Sequence, residues 1–142
     1  MYLNSNKIGD QGTIAVANAL QGNKVLKELN LNGNRINDPG AVAIAEALKF
    51  NGVLTKLYLY NNNIGPEGAK ALASALKVNS VLTSLNLYYN KIGAEGAVAI
   101  AEAMKGNKVL KACDARFNYF SNEAKQMLTD LVGDRGEIVL LV

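Results

Sequence analysis

Short runs of alternating leucine recur along the chain, separated by stretches in which apolar residues return every three or four positions. In Leu29-Asn30-Leu31, alternation places the leucines on one face of a short strand and the residue between them on the other. The longer stretches have the spacing of a buried helix stripe, in three copies: Ala43, Ile44, Ala47, Leu48; Ala71, Leu72, Ala75, Leu76; Ala99, Ile100, Ala103, Met104. The pattern predicts short strands that alternate with helices.

An asparagine marks the period of this alternation. It returns every 28 residues, as Asn6, Asn34, Asn62, Asn90 and Asn118. At a turn from strand to loop, an asparagine amide can both donate to and accept from backbone groups that would otherwise be buried without partners. We therefore predict a structural ladder of hydrogen bonds for this column, and no active site.

Turn and cap residues bound each predicted helix. Pro39 and Pro66 suit a first helical turn, and Asp10 and Asp38 are expected to cap helices, since neither is followed by the further oxygen ligands of a calcium loop. One glycine per repeat, for example Gly68, indicates a position of close packing. The sequence around these glycines lacks the Lys-Ser/Thr that completes a phosphate-binding loop. A second asparagine column follows the helices, where a left-handed residue is usually required: Asn23, Asn51, Asn79 and Asn107.

The combined pattern is L-x-x-L-x-L-x-x-N-x-I, seen for example at Leu54, Leu57, Leu59, Asn62 and Ile64. It resembles the leucine-rich repeat family over essentially the whole chain. The long period resembles the ribonuclease-inhibitor-like class, also found in innate immune receptors and in activators of the Ran GTPase. The resemblance implies an α/β fold: a right-handed solenoid, or horseshoe arc, with a parallel β-sheet on the concave side and α-helices on the convex side. We expect one domain over residues 1–142, with about five repeats and a terminal strand at 137–142.

Composition excludes several chemistries. The 142 residues include no His and one Cys, so the chain offers no imidazole base and no internal disulfide. Cys113 falls in a leucine column and is expected to be buried. We predict no catalytic residue, no metal site and no cofactor, and therefore no enzyme. The net charge of +3 comes from scattered Lys and Arg, and no segment has the length of a membrane span, so a soluble cytoplasmic protein is expected.

The two ends of the chain carry separate expectations. The sequence starts at Tyr2-Leu3-Asn4, inside a strand copy with no polar cap, which suggests a truncated or engineered scaffold. At the other end, the apolar strand at 137–142 would leave an uncovered sheet edge. Self-association through that edge strand is therefore expected.

The residues that vary between copies indicate where a partner would bind. Those just before, between and after the strand leucines face the concave side, and neighbouring strands are about 4.8 Å apart, so they form one patch. Tyrosine beside arginine is typical of interface hot spots. The alternative is that tyrosines simply suit strands and pair with one another. The predicted partner-binding residues are Lys56, Tyr58, Tyr60, Tyr88, Tyr89, Asp114, Arg116 and Phe117.

The leading hypothesis is a module that binds a protein or peptide on this concave, tyrosine-rich face. The family resemblance also allows a scaffold without its own ligand, a GTPase-activating regulator, or a ribonuclease inhibitor, although the cysteine richness of that inhibitor is absent. Stacking of single-stranded nucleic acid on the tyrosines is a further alternative, which salt-sensitive oligonucleotide binding would distinguish. The sequence favours protein over nucleic acid and over membrane, and does not name the partner.

Overall fold

Helices alternate with short strands through the residues that the computed structural model describes, 1–133 and 139–141. The helices are α1 Gly9–Gly22, α2 Asp38–Phe50, α3 Pro66–Leu76, α4 Gly93–Gly106 and α5 Asn122–Val132. The strands are β1 Glu28–Asn30, β2 Lys56–Tyr58, β3 Ser84–Asn86, β4 Ala112–Asp114 and β5 Val139–Leu141. The alternation predicted from the leucine and alanine patterns is confirmed.

The strands form one parallel sheet in the order β1-β2-β3-β4-β5. Its register places equivalent positions side by side, so that Leu29 pairs with Leu57 and Leu85 pairs with Cys113. Each column of the repeat therefore runs straight across the sheet. Of the predicted terminal strand, residues 139–141 pair with β4, and residues 137, 138 and 142 lie outside the described residues.

The core lies between the sheet and the helices. The central leucines of β1, β2 and β3 and most of the predicted stripe residues of α2, α3 and α4 are almost fully buried, whereas the first alanine of each stripe is partly buried. Each of these helices packs against the helices before and after it. A Cβ atom at Gly68 would lie 2.7 Å from Asp38 Oδ1 and 2.8 Å from Ala41 Cβ, so this glycine is needed for close packing. These contacts make an α/β solenoid. Within the described ranges, no helix combines the length and apolar character that crossing a membrane requires.

The asparagine ladder is confirmed. Asn62 Oδ1 accepts from the backbone N–H of Asn34 at 2.9 Å and of Ile36 at 3.0 Å, both in the preceding repeat. Its Nδ2 donates to the carbonyl oxygens of Leu31 at 3.1 Å and Leu59 at 3.0 Å. One buried side chain thus satisfies backbone groups in two adjacent repeats.

The left-handed conformation expected for the second asparagine column is wrong. Asn51, at the end of α2, is extended, with φ −79° and ψ 117°. Its Nδ2 donates to the Leu20 carbonyl at 2.7 Å, and its Oδ1 accepts from the Leu54 N–H at 2.8 Å. Asn79 and Asn107 make the same contacts one and two repeats later. The column is therefore a second ladder, placed where helices turn into strands.

The predicted aspartate caps act on the following helix and not on their own. Asp38 lies in the first turn of α2, and its Oδ1 accepts from the backbone N–H of Gly65 at 2.7 Å and of Gly68 at 2.9 Å. Asp10 binds the start of α2 through the N–H groups of Asn37 and Gly40. Each carboxylate thus satisfies the free amides at the next helix N-terminus and joins two repeats.

Candidate partner-binding surface

The sheet presents the predicted residues because, in β1 to β4, only the central residue of each strand is buried in the core. Leu57 in β2 is fully buried, whereas the flanking residues Lys56 and Tyr58 are at least partly open to solvent. Parallel pairing continues beyond the strands, since the Leu59 N–H donates to the Asn86 carbonyl at 2.8 Å. Positions two residues after each strand, such as Tyr60, therefore remain stacked across the repeats.

Four aromatic residues from three repeats form what we call the aromatic cluster: Tyr60, Tyr88, Tyr89 and Phe117. The Tyr88 ring lies at its centre, with its centroid 5.3 Å from that of Tyr60 and 5.0 Å from that of Phe117, both in tilted arrangements. Tyr89 stacks beside Tyr88 at 6.4 Å. Such spacings are favourable for aromatic pairs. The rings thus hold one another in place while three of them stay exposed.

Arg116 covers the Tyr88 ring and is itself held by Asp114. Its guanidinium carbon lies 5.2 Å from the Tyr88 centroid, within cation–π range. Arg116 Nε donates to Asp114 Oδ1 at 3.0 Å and Nη2 donates to Oδ2 at 2.8 Å. The bidentate contact with this carboxylate raises the pKa of Arg116 further. Arg116 and Asp114 are therefore brought together with the aromatic cluster, as the columns predicted.

Lys56 and Tyr58 differ from the residues of the aromatic cluster in their contacts. Lys56 Nζ is 3.6 Å from Glu28 Oε2, and the Tyr2 hydroxyl donates to Glu28 Oε1 at 2.9 Å. The carboxylate of Glu28 raises the pKa of Tyr2. Tyr58 is half-buried and takes part in none of the ring pairs found in the described part of the chain. Six of the eight predicted residues are therefore linked by side-chain contacts, and none of the ring pairs or ion pairs found in the described residues joins Lys56 or Tyr58 to them.

The loops after the strands add residues that the column argument did not single out. A pocket of about 600 Å³ lies there, next to Tyr89 and Phe117. Its other lining residues are Asn61, Asn62, Asn63, Asn90, Lys91, Arg116, Asn118, Tyr119, Phe120 and Lys125. Lys91 and Lys125 are absent from the predicted partner-binding residues because they lie outside the strand columns. The aromatic residues on either side of Asn118, Phe117 and Tyr119, were the sequence signal that could have indicated a pocket in these loops.

Groups that could support catalysis are sparse in the described residues. Cys113 is buried at 1% exposure in its leucine column, as expected, and burial raises the pKa of its thiol to about 12. A buried neutral thiol is a poor nucleophile. In residues 1–133 and 139–141 there is no group of three or more Cys, Asp or Glu side chains that could hold a metal ion. The arrangement of rings, amides and cations is suited to binding.

Comparison with known proteins supports the repeat fold. A solved structure of leiomodin-1 actin-binding site 2 is similar to the chain, with a TM-score of 0.79 and 28% identity, covering 94% of this chain and 78% of that one. No curated protein matches the chain significantly. A family model described as a leucine-rich repeat matches residues 22–45, 51–73 and 78–101, which together make up half of the chain. The chain therefore belongs to the leucine-rich repeat family.

Proposed function

We propose that this protein is an interaction module that binds a protein or peptide through the aromatic cluster and the neighbouring sheet face. The observation that carries the proposal is that Tyr60, Tyr88 and Phe117 contact one another across three repeats while two of them stay exposed. Rings that are already ordered lose little side-chain entropy when a partner covers them. Arg116, stacked on Tyr88, adds the second residue type typical of hot spots.

Actin is the first partner to test. The match to a structure described as an actin-binding site extends over nearly all of this chain. The 28-residue period further supports assignment to the ribonuclease-inhibitor-like class. A GTPase-activating role, ribonuclease inhibition and nucleic-acid stacking have no specific contact in favour of them. A scaffold without its own ligand remains the alternative if the aromatic cluster binds nothing.

The experiment compares a double variant of the aromatic cluster with a double variant of exposed apolar residues away from the sheet face. Tyr60→Ser/Tyr88→Ser disrupts the aromatic cluster, whereas Phe50→Ser/Val78→Ser removes exposed apolar side chains at the end of α2 and just after α3. Co-sedimentation with actin filaments and gel filtration with monomeric actin are measured first, followed by cross-linking of purified candidates. Circular dichroism must be the same for all three proteins.

We expect the cluster variant to bind at least tenfold more weakly, equivalent to about 1.4 kcal/mol, and the control variant to bind normally. Equal binding by both variants would reject the aromatic cluster as the interface. Absence of any partner would favour the scaffold. Pairing of β5 with a second copy is a separate proposal, and sedimentation velocity over a range of concentrations tests it.

A further inference from the structure

The pocket beside the aromatic cluster, which we call the loop pocket, is walled by three repeats. Tyr89 and Phe117 form the side that meets the sheet, and the ladder residue Asn90 lies among the lining residues. Lys91 and Lys125 lie farther along, where the loops lead into helices. The loop pocket is therefore continuous with the proposed interface but has a different composition.

The charged residues that line the loop pocket are all positive. Its lining includes Lys91, Arg116 and Lys125 and contains no carboxylate. Arg116 is paired with Asp114, whereas none of the ion pairs found in residues 1–133 and 139–141 includes Lys91 or Lys125. Both lysines are exposed. They can therefore attract an anionic group without breaking an existing pair.

Backbone conformation holds aromatic rings at the mouth of the loop pocket. Tyr89, Phe117 and Tyr119 have φ values of 56°, 58° and 60°, in the left-handed region that disfavours bulky residues. At the position of Tyr89 and Phe117, the earlier repeats adopt the same conformation with smaller residues, Ser5, Gly33 and Asn61, of which glycine and asparagine tolerate it best. These three aromatic residues are 55%, 64% and 81% exposed, so burial in the core does not offset the backbone strain. Strained residues of this kind often mark binding sites.

We propose that the loop pocket receives an acidic segment of the protein partner. A carboxylate would lie between Lys91 and Lys125, and an adjacent apolar side chain would pack on Tyr89 and Phe117. The inference rests on the proposed function, because the same partner would cover the aromatic cluster. Protein is favoured over nucleic acid because Asn63 and Tyr119 occupy the position of Lys91 in the neighbouring repeats, so no continuous basic track, along which a phosphate backbone could run, follows this column across the pocket.

The test uses three capped tripeptides, Glu-Phe-Glu, Gln-Phe-Gln and Lys-Phe-Lys, titrated into the full chain while amide resonances are recorded. We expect the acidic peptide to shift the resonances of Lys91, Phe117 and Tyr119 and to bind roughly fivefold to tenfold more tightly than the Gln peptide. Added salt should remove most of that difference. The Lys peptide should bind most weakly.

A charge-matched pair of variants locates the effect. Lys91→Glu/Lys125→Glu should abolish the preference for the acidic peptide, whereas Lys24→Glu/Lys108→Glu, which changes the same net charge at the helix-to-strand turns, should keep it. Equal binding of the acidic and Gln peptides, no binding of either, or an unchanged preference in Lys91→Glu/Lys125→Glu would each overturn the proposal. So would an oligothymidylate that shifts the same resonances at lower concentration than the acidic peptide.

Failure of this inference can be distinguished from failure of the proposed function. Tyr60→Ser removes a ring of the aromatic cluster that does not line the loop pocket and pairs only with Tyr88, which does not line it either, so tripeptide binding should stay within about twofold of the unsubstituted chain. If partner binding depends on the tyrosines but no peptide preference is found, only the loop pocket is rejected. If peptide binding is found but partner binding ignores the tyrosines, the proposed interface is rejected, and with it the role of the loop pocket in partner binding.

Discussion

Two columns of asparagine supply hydrogen bonds at the turns of this protein, where water is excluded. The sequence predicted the role of the column that includes Asn62, because a buried amide repeated at each strand-to-loop turn has few other uses. It did not predict the extended backbone of Asn51. An asparagine after a helix fits both a left-handed cap and a side-chain ladder, and only contacts with the preceding repeat decide between them.

Replacing Asn62 with Leu should lower the free energy of unfolding by about 3 kcal/mol, because two buried N–H groups and two carbonyls would lose a partner. Urea unfolding followed by circular dichroism measures the change. Asn63→Leu is the control, since no side-chain hydrogen bond of Asn63 is found in the described residues; it should change stability by less than about 0.5 kcal/mol. A similar small change for Asn62→Leu would reject the ladder as a source of stability.

Tyr89→Asn should raise stability by up to about 1 kcal/mol. Asparagine tolerates the left-handed backbone better than tyrosine, and the lost stacking on Tyr88 offsets only part of that gain. Asn61→Tyr makes the reverse change one repeat earlier and should destabilise the protein. Thermal unfolding of both variants checks the sign. A fall in midpoint for Tyr89→Asn would show that ring packing outweighs backbone strain.

The buried thiol of Cys113 predicts a pH dependence. Its pKa is raised from 9.0 to about 12, so the neutral thiol is favoured in the folded chain. The corresponding stability is complete below the pKa of the unfolded thiol and is lost as pH rises from 9.0 towards 12. The free energy of unfolding should therefore fall more steeply with pH in this range than in Cys113→Ala. Parallel slopes for the two proteins, measured in urea, would contradict this assignment.

At the scale of elements, hydrophobic spacing was enough to place the strands and helices, because each repeat buries one strand face and one helix stripe. The sequence did not reveal which helix each aspartate would cap. Asp38 is in α2, but the amides that it accepts from belong to the N-cap and the first turn of α3 and lie 27 and 30 residues away along the chain. The next repeat has Pro66 at the position equivalent to Asp38, and there Lys70 bridges to Glu95 of α4 at 2.7 Å.

Asp38→Ala should lower the free energy of unfolding by about 1 kcal/mol, the usual cost of losing a helix cap. Glu67→Ala is the matched control, because Glu67 makes an exposed pair with Lys70 at 3.0 Å and should contribute less than about 0.5 kcal/mol. Amide hydrogen exchange gives the location of the effect. Loss of protection should begin in the first turn of α3, and loss confined to α2 would show that the carboxylate acts within its own helix.

For the whole molecule, the constant period predicted the stacking of columns, and the columns in turn predicted which side chains would share a face. Tyr60, Tyr88 and Phe117 meet for that reason. The loop pocket could not be predicted in the same way, because its shape depends on the φ values of loop residues, which no alternation encodes. One domain over residues 1–142 stays a prediction, since residues 134–138 and 142 lie outside the described ranges.

The ladders join each repeat only to its immediate neighbours, as the 28-residue separation of Asn34 and Asn62 shows. Mechanically, the junctions between neighbouring repeats are arranged in series, so a force applied at the two ends of the protein acts equally on every junction. The weakest junction then yields first, and each released repeat lengthens the tether by roughly 90 Å at full extension. Optical tweezers should record steps of about that size, and a single extension to full length would contradict independent links. A bound partner that contacts three repeats would hold them together, so that those repeats would unfold in one step.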